Sequence, residues 1–510
     1  MTTPVPTRIV STLPVLSLSP VHSAVPSMPL PDFHPAEFPV AFWQQNRTSL
    51  RSGLPNISIL PDSRSTVGSS LSISLLPQKI TRSTSTSMDI YKHTRRVSQT
   101  VQNHNRYSWM NSPSVLSAVE PVEVCTASDS SRSSAPRFYY MDSMRSILMM
   151  LGVVLHGALI YSATDHWIVS DSHNSIFFSL LDSVIHVFRM PTFFIIAGFF
   201  SLMSLQKYGI KVFTQVRLVR IVVPLLSTAL IVNTLELYFR TTVLHHEPMS
   251  LGHFLARVLP QLWLSGQWVS HLWFLLTLLQ FFAVGISLFL LAGYLPKWTQ
   301  MRPMVAGIRK NCYFLLLIPC ADLVWNVAAK IAPNLFHGSL CCGLLNLEDF
   351  MIFLPYFLLG LWLFKDKTLQ DEFHRIARWE WGMLPLAVLV YYLEENAHGF
   401  NTESLLRIYS FGVICALASH VCYVFFYRFM NRDSRVFRYL SDASYSIYLF
   451  HHICVVIFGY LLLSSTIAIG YKFLAVEIVT FAVTLSLHHF LILRIPVLRF
   501  LFNGKRTVRS

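Results

Sequence analysis

Arg145 and His156 stand eleven residues apart in the apolar stretch MDSMRSILMMLGVVLHGALIYS, residues 141–162. At 100° per residue, the two side chains project within about 20° of each other and share one helical face. They are separated by roughly 16 Å along the axis, about half of a hydrocarbon core. Because an ionisable side chain costs on the order of 3 kcal/mol at a bilayer centre, it normally faces a cavity or a partner. The alternative role of His156 is an interhelical hydrogen bond.

Two more groups of ionisable residues have apolar neighbours. Arg217 and Arg220 are three apart and lie on one face of a helix that begins there. Guanidinium groups bind phosphates through two parallel hydrogen bonds, although arginines at this place also set membrane topology. An otherwise apolar span contains three ionisable residues, Asp182, His186 and Arg189. Helix packing alone does not require so many polar groups in one span.

Later in the chain, His271 and Trp273 occur in the segment HLWFL, and a polar stripe runs through Ser444, Tyr448 and His451 at positions i, i+4 and i+7. Each feature has a structural alternative. A tryptophan at this depth commonly anchors a helix at the membrane interface, and a polar stripe commonly holds helices together.

The composition is typical of a polytopic membrane protein, so the lipid bilayer is a predicted partner. Of 510 residues, 53% are hydrophobic and 13% are charged, whereas a soluble domain is about 25% charged. A net charge of +14 would suit nucleic acid, but the Lys and Arg residues lie in short loops, where they set topology, so no nucleic-acid partner is predicted. The 8 cysteines lack metal-ligand spacing and His245-His246 is too little for a site, so no metal is predicted.

The chain divides into three parts. Residues 1–136 are rich in Ser, Thr and Pro, contain no span-length apolar run, and predict a disordered extension, or an upstream start that the cell does not use. They also lack the pattern of an ordinary signal peptide. Residues 137–495 form the predicted transmembrane domain, and residues 496–510 a basic cytoplasmic tail.

Hydrophobic runs predict an all-α protein with about ten transmembrane helices. Loops after even-numbered spans are basic and loops after odd-numbered spans are acidic or neutral, which places both termini in the cytoplasm. The predicted spans are 145–163, 176–205, 221–239, 271–294, 312–330, 349–364, 382–393, 405–427, 443–463 and 466–493.

In their order along the chain, these motifs resemble the acyltransferase 3 family of integral membrane proteins. The resemblance covers residues 137–495 and is greatest to the branch that modifies periplasmic glucans, including succinyl transferases. It rests on the D-x-x-R and R-x10-H patterns of Asp142, Arg145 and His156, on RMPTFFIIAGFF at 189–200, on the R-x-x-R pair before IVVP, and on HLWFL at 271–275 and SYSIYLFH at 444–451.

The resemblance implies an O-acyltransferase of the bacterial inner membrane. An acetyl or succinyl group would pass from a cytoplasmic donor, acyl-CoA, to a hydroxyl of an extracytoplasmic glucan or other glycan, with no bound cofactor. His156 would be the general base and Arg145 a second catalytic residue. The expected substrate-binding residues are Arg217, Arg220, Arg189, Asp142, Asp182, His186, His271, Trp273, Tyr445 and His451. Arg189, Tyr445 and His451 are unranked candidates for stabilising the oxyanion, and direct transfer and an acyl-histidine both remain open.

The alternative function is a multi-pass secondary transporter of a small anionic or acyl-bearing solute. Carriers also combine about ten helices with charges near the bilayer midplane. No repeat between the two halves and no matching pair of broken helices supports that alternative in this sequence.

Overall fold

The computed structural model describes residues 137–292, 307, 309–331, 339–398 and 404–505. The predicted disordered extension 1–136 and the last five residues of the tail, 506–510, lie outside these ranges. The described chain is almost entirely helical, and its one two-stranded antiparallel sheet pairs β1 (Ser339–Leu340) with β2 (Leu345–Asn346).

The described residues contain fifteen α-helices. They are α1 (Tyr139–Ile160), α2 (Ile176–Arg217), α3 (Val223–Ser227), α4 (Thr234–Phe239), α5 (Leu251–His253), α6 (Leu259–Leu264), α7 (Trp273–Leu291), α8 (Cys320–Ile331), α9 (Leu347–Lys365), α10 (Lys367–Phe373), α11 (Arg378–His398), α12 (Leu405–Phe429), α13 (Arg435–Leu462), α14 (Ile469–Ser486) and α15 (Pro496–Asn503). Short 3-10 turns precede α7 (Ser270–Leu272) and α8 (Lys310–Leu316), and π-helical turns occupy Leu218–Val222, Thr228–Asn233, Arg240–Leu244, Phe254–Val258 and Leu487–Ile492.

The prediction of an all-α polytopic membrane protein is confirmed. Eight helical segments among the described residues are long and apolar enough to cross a membrane. One of them, Ile176–Leu244, has 69 residues and contains both the second and the third predicted spans. The seventh predicted span falls in α11, which is not among the eight. A total of ten crossings and cytoplasmic termini therefore stay predictions.

The first helix begins earlier than its hydrophobic run. The span predicted from residue 145 starts at Tyr139, so Asp142 and Arg145 lie inside the first two turns of α1. A hydropathy pattern leaves the polar first turn out of the predicted span, although the backbone of that turn is helical. Arg145 therefore lies within the helix, not at its first residue, and shares that helix with His156.

The long segment 176–244 changes its geometry twice. Gly209 has φ 75°, which only glycine adopts without strain, and interrupts α2 near its end. From residue 218 to residue 244, π-helical turns alternate with α3 and α4. Such π-helical turns change which side chains face the protein interior, and they are frequent at functional sites.

Several helices begin at polar side chains that cap them. Ser175 accepts a hydrogen bond from the backbone N–H of Phe177 at the start of α2, and Ser404 caps α12 in the same way. Asn346 accepts two backbone N–H groups, at 3.0 and 3.2 Å, at the start of α9, and Asp366 does so at the start of α10. These contacts satisfy backbone donors that the helix itself leaves unpaired.

Helix α1 is surrounded by α2, α12, α13 and α14, so its whole length is available for interior chemistry. Beside it, α2 and α9 approach closely through two glycines. A methyl group on Gly360 would overlap the carbonyl oxygen of Ile195, and one on Gly198 would overlap that of Phe357. Small residues at such crossings let two membrane helices make close van der Waals contact.

The beginning of the predicted tail is a helix packed on the bundle. Helix α15 contacts α3, and the Ser227 hydroxyl donates to the Leu501 carbonyl at 2.8 Å. Phe502 and Asn503 are buried. Residues 496–503 therefore belong to the packed protein.

We expect Gly360→Ala to destabilise the protein by about 1–3 kcal/mol, because the added methyl forces α2 and α9 apart. The measurement is the apparent melting temperature of purified protein in detergent. Gly382→Ala is the matched control: a methyl there meets no atom within 4 Å, and alanine favours helix more than glycine does. Equal melting temperatures for Gly360→Ala and the unchanged protein would contradict the prediction.

Candidate functional site

Four histidine rings meet at the end of α1 that is farther from Arg145. The ring centroid of His156 lies 5.0 Å from that of His452 and 5.4 Å from that of His451. His271 stacks on His452 at 4.8 Å and lies 5.5 Å from His451. We call these four residues the histidine cluster. Three of them, from three separate segments, were selected from the sequence, and the structure brings them together.

His156 is partly exposed and lies beside the loop 161–175. The indole of Trp167 stacks on its ring with a centroid distance of 5.3 Å and an angle of 22°. Its Nδ1 atom is buried and has no hydrogen-bond partner among the described residues. The ring is therefore held by packing, and it retains hydrogen-bonding capacity that a substrate can use.

Hydrogen bonds to backbone carbonyls orient the side chains of Tyr448 and His451. The Tyr448 hydroxyl donates to the His271 carbonyl at 2.7 Å. Nδ1 of His451 lies 2.7 Å from the Tyr448 carbonyl, and because a carbonyl only accepts, Nδ1 carries the proton. The neutral His451 ring then has its lone pair on Nε2, which is buried without a protein partner in the described part of the chain.

Glu236 and His452 were not selected from the sequence, although they belong to the same site. Nδ1 of His452 donates to Oε2 of Glu236 at 2.8 Å, and both residues are buried. Arg240 lies 3.9 Å from the other carboxylate oxygen. The sequence contained a signal that could have identified Glu236, because it is an acidic residue within the apolar run TALIVNTLELYF.

These residues also form a group that could hold a metal ion. The donor atoms of Glu236, His271 and His452 lie within 4.8 Å of one another. Spacing along the chain predicts no metal site, because Glu236, His271 and His452 are far apart in sequence and meet only in the folded protein. The absence of a metal therefore stays a prediction.

The polar face of α2 reaches the same place. The Arg189 guanidinium lies against Gly152, one helical turn before His156, and a methyl group on Gly152 would overlap it. The charge of Arg189 acts on His156, His186 and His451, and Arg189 and Asp182 also interact electrostatically. Of the candidates for stabilising an oxyanion, Arg189 and His451 thus both lie near His156.

The arginines gather at the other end of α1. Nη2 of Arg145 donates to the Ser441 hydroxyl at 2.5 Å and lies 3.9 Å from Asp142. The charges of Arg145, Arg217 and Arg220 act on one another, so the three residues share one region. We call them the arginine cluster.

Each member of that cluster has a different environment. Arg217 lies over the rings of Phe213 and Phe282, at 5.3 and 4.9 Å, while Arg220 is exposed. The Tyr445 hydroxyl donates to the Arg220 carbonyl at 3.2 Å. Tyr445 therefore lies at the arginine cluster and not beside His156.

Trp273 is separate from the histidine cluster. Its indole stacks on Phe353 with a centroid distance of 5.9 Å, within the aromatic core that α7 and α9 share. It neighbours His271 in sequence, but residues two apart on a helix point in different directions. Its substrate-binding role stays a prediction without support from this geometry.

The loop that carries Trp167 is fixed by buried polar contacts. Nζ of Lys472 donates to Oδ2 of Asp171 at 2.7 Å, and each side chain is 1% exposed. Burial by itself raises the pKa of Asp171, but the hydrogen bonds from Lys472 and from the backbone N–H of His173 outweigh it and lower that pKa. Burial raises the pKa of Asp165, to which Ser162 donates at 3.2 Å.

The two clusters are suited to different chemistry. Imidazoles can accept and donate protons near neutral pH, whereas guanidinium groups bind phosphates. Roughly 16 Å of helix α1 separates Arg145 from His156. A substrate that is anionic at one end and reactive at the other would fit both clusters at once.

Known proteins match this chain over most of its length. Residues 138–489 match an acyltransferase domain. The chain is 30% identical over 383 residues to the glucans biosynthesis protein C of Salmonella schwarzengrund (strain CVM19633), which covers 74% of this chain and 97% of the relative. The proteins of the same name from Salmonella paratyphi B and Salmonella enteritidis PT4 are 30% identical over 384 residues with the same coverage. No solved structure matches significantly.

We expect Lys472→Met to destabilise the protein by about 3 kcal/mol or more, because it leaves the Asp171 carboxylate buried without its cation. The double variant Lys472→Met with Asp171→Asn should recover part of that loss. Since the pKa of Asp171 is lowered by folding, the pair stabilises the protein above about pH 4, and its contribution is lost as the pH falls further.

Melting temperature and acyl transfer are measured together at pH 7. Lys505→Met is the control, because its pair with Asp442 is exposed, with a distance of 3.3 Å, and should contribute little. A Lys472→Met protein as stable as the control would show that the loop does not depend on this pair.

Proposed function

The chain belongs to the acyltransferase 3 family, and from that premise we propose that it transfers an acyl group from acyl-CoA to a hydroxyl of an extracytoplasmic glycan. It is an integral multi-pass membrane acyltransferase, and its bacterial relatives indicate the inner membrane as its location. Those relatives are named for glucan biosynthesis, so we propose a glucan as the acceptor. The acyl group is acetyl or succinyl.

One observation carries this proposal. Arg145 and His156 lie on one helix, and each is the centre of a separate cluster, one of arginines and one of histidines. An acyl-CoA has phosphates at one end and a thioester at the other, joined by an extended arm. The roughly 16 Å between the two residues suits such an arm lying along α1.

At the arginine cluster, we assign Arg145, Arg217 and Arg220 to the donor phosphates. Arg220 is exposed and therefore accessible, while Arg145 is aligned by Ser441 and by Asp142. Positive-inside topology puts this end at the cytoplasm, where acyl-CoA is made. Asp142 acts here as a positioning residue.

At the histidine cluster, we assign His156 as the general base. It accepts the proton of the glycan hydroxyl as the hydroxyl oxygen attacks the thioester carbonyl. The guanidinium of Arg189, which lies against α1 one turn away, stabilises the negative charge that develops on the carbonyl oxygen. His271 and His451 line the same space, and Trp167 offers the acceptor an aromatic surface.

A secondary transporter is the other function that the sequence allowed. Carriers also place charges near the midplane of the bilayer. The match of residues 138–489 to an acyltransferase domain favours the enzyme, and no contact among the described residues specifically favours a carrier.

We expect His156→Ala to reduce ester formation by about 100-fold or more, because the alcohol loses its proton acceptor. Purified protein is incubated with acetyl-CoA or succinyl-CoA and a glucan oligosaccharide, and mass spectrometry detects the ester. His253→Ala is the matched control, since His253 is exposed and outside both clusters. Unchanged acyl transfer by folded His156→Ala protein would contradict the general-base role and leave His156 with a packing role only. Transport of the solute without any ester would favour the carrier.

A further inference from the structure

A fourth arginine lies beside the arginine cluster, just before helix α1 begins. Nε of Arg137 donates to Oδ2 of Asp142 at 2.8 Å. The other carboxylate oxygen, Oδ1, lies 3.9 Å from Nη2 of Arg145. Asp142 therefore lies between two guanidinium groups and holds Arg137 next to Arg145.

The charge of Arg137 acts on the same residues as the charges of the cluster. The charges of Arg137 and Arg220 act on Arg145. Those of Arg145 and Arg220 act in turn on Arg217. Four guanidinium groups therefore share this region, and three of them form the arginine cluster.

Positive charge exceeds negative charge in this region. Two carboxylates besides Asp142 act on these arginines, but each has a cation of its own. Asp433 pairs with Arg438 at 3.3 Å, and Asp442 pairs with Lys505 at 3.3 Å. A region with such an excess of positive charge attracts an anion that carries several charges.

The guanidinium of Arg137 retains an edge that a ligand can use. Its side chain is 46% exposed, and its hydrogen bond to Asp142 comes from Nε. Among the described residues, no hydrogen bond or ion pair from its two Nη atoms is found. Two guanidinium N–H groups bind a phosphate through parallel hydrogen bonds, which a lysine cannot do.

The proposed donor has two kinds of phosphate. The diphosphate of acyl-CoA joins the extended arm to the nucleoside, whereas the 3′-phosphate is a monoester with a charge of about −1.5 to −2 at pH 7. With the arm along α1, the diphosphate lies at Arg145, and the nucleoside with its 3′-phosphate lies farther from His156. Arg137 precedes α1 on that side.

We propose that Arg137 binds the 3′-phosphate of acyl-CoA, while the arginine cluster binds the diphosphate. Asp142 is a positioning residue for both Arg137 and Arg145. This assignment rests on the proposed acyl transfer, and it adds a phosphate-binding residue that lies outside the motifs identified in the sequence.

A phosphate at this place could also come from a lipid. Basic residues at the cytoplasmic face of a membrane attract anionic headgroups. The hydrogen bond to Asp142 holds the Arg137 guanidinium in one orientation, which suits a ligand that binds in a single pose. The observations therefore favour the nucleotide, and the experiment distinguishes the two sources.

The test compares CoA with dephospho-CoA, which lacks only the 3′-phosphate. Binding to the purified protein is measured by isothermal titration calorimetry in a detergent without charged lipid. The unchanged protein should bind CoA about tenfold more tightly, because a charge-assisted contact is lost with the phosphate. Arg137→Met should weaken CoA binding about tenfold and leave dephospho-CoA binding unchanged. Arg137→Lys keeps the charge without the paired donors and should be intermediate.

Acyl transfer gives the same comparison during turnover. With acetyl-CoA or succinyl-CoA and a glucan oligosaccharide, Arg137→Met should raise the donor KM about tenfold and keep kcat within about twofold. The contact is far from the reacting atoms and is the same in the bound donor and the transition state. With a dephospho donor, the variant and the unchanged protein should have the same KM.

The chain offers a matched control. Nη1 of Arg309 donates to Asp366 at 2.9 Å, and 26% of the Arg309 side chain is exposed. Arg309→Met removes an arginine–aspartate pair of similar length outside the arginine cluster, so the binding of both nucleotides should stay unchanged. All variants are compared at equal amounts of folded protein after size exclusion.

Three results would overturn the proposal. Equal weakening of CoA and dephospho-CoA binding by Arg137→Met would reduce its role to general electrostatic attraction. Unchanged binding of both would leave Arg137 as a residue that sets topology. The third result is an unchanged protein without preference for CoA, from which Arg137→Met removes bound phosphatidylglycerol in native mass spectrometry. The ligand would then be a lipid headgroup.

The binding measurement needs no turnover, so it separates this proposal from the proposed function. Absence of ester with an unchanged protein that binds CoA counts against acyl transfer. Absence of a 3′-phosphate preference counts against the role of Arg137, and absence of any CoA binding overturns both.

Discussion

The low polarity of the bilayer interior is the constraint on which the rest of this structure depends. A charged or polar side chain inside a membrane helix is costly unless another polar group, a cavity or a substrate meets it. Here several such groups gather into an arginine cluster and a histidine cluster, about half a hydrocarbon core apart on α1. Helices α2, α12, α13 and α14 surround α1, so Arg145 and His156 lie on a helix that is packed in the interior of the bundle.

Packing and chemistry are coupled through this arrangement. The close glycine crossing of α2 and α9 fixes the helix that carries Arg189, and the buried Asp171–Lys472 pair fixes the loop that carries Trp167. The irregular helical turns between residues 218 and 244 bring Arg220 to one cluster and Glu236 to the other. The contacts that hold the helices together thus also position the side chains of the two clusters.

Helical periodicity was sufficient to predict that Arg145 and His156 share a face, because both lie on one uninterrupted helix. Helical periodicity did not predict the short helices α10 and α15, whereas the length of the hydrophobic runs predicted the long ones. It could not predict the Glu236–His452 contact, since these residues are 216 positions apart and meet only through tertiary packing. Trp273 was grouped with His271 because they are neighbours in sequence, whereas the structure stacks it on Phe353.

The number of membrane crossings was difficult to predict from the sequence for a different reason. Apolar length is a good guide for most spans, but α11 contains Glu380, Pro385 and a polar end, so its hydropathy does not match its helical length. The second and third predicted spans fall in one helical segment, because the basic stretch between them is itself helical on both sides of the break at Gly209. Hydropathy reports where a chain can cross, and helical geometry reports where the backbone is regular.

Transfer between the two sides of the membrane is the central claim, and sealed proteoliposomes test it most directly. The chain is reconstituted with a glucan oligosaccharide inside the vesicles, and acyl-CoA is added outside only. In vesicles whose arginine-cluster end faces outward, our account predicts that the ester accumulates on the enclosed glucan and that His156→Ala abolishes it. An ester that forms only when donor and acceptor are on the same side of the membrane would contradict the account.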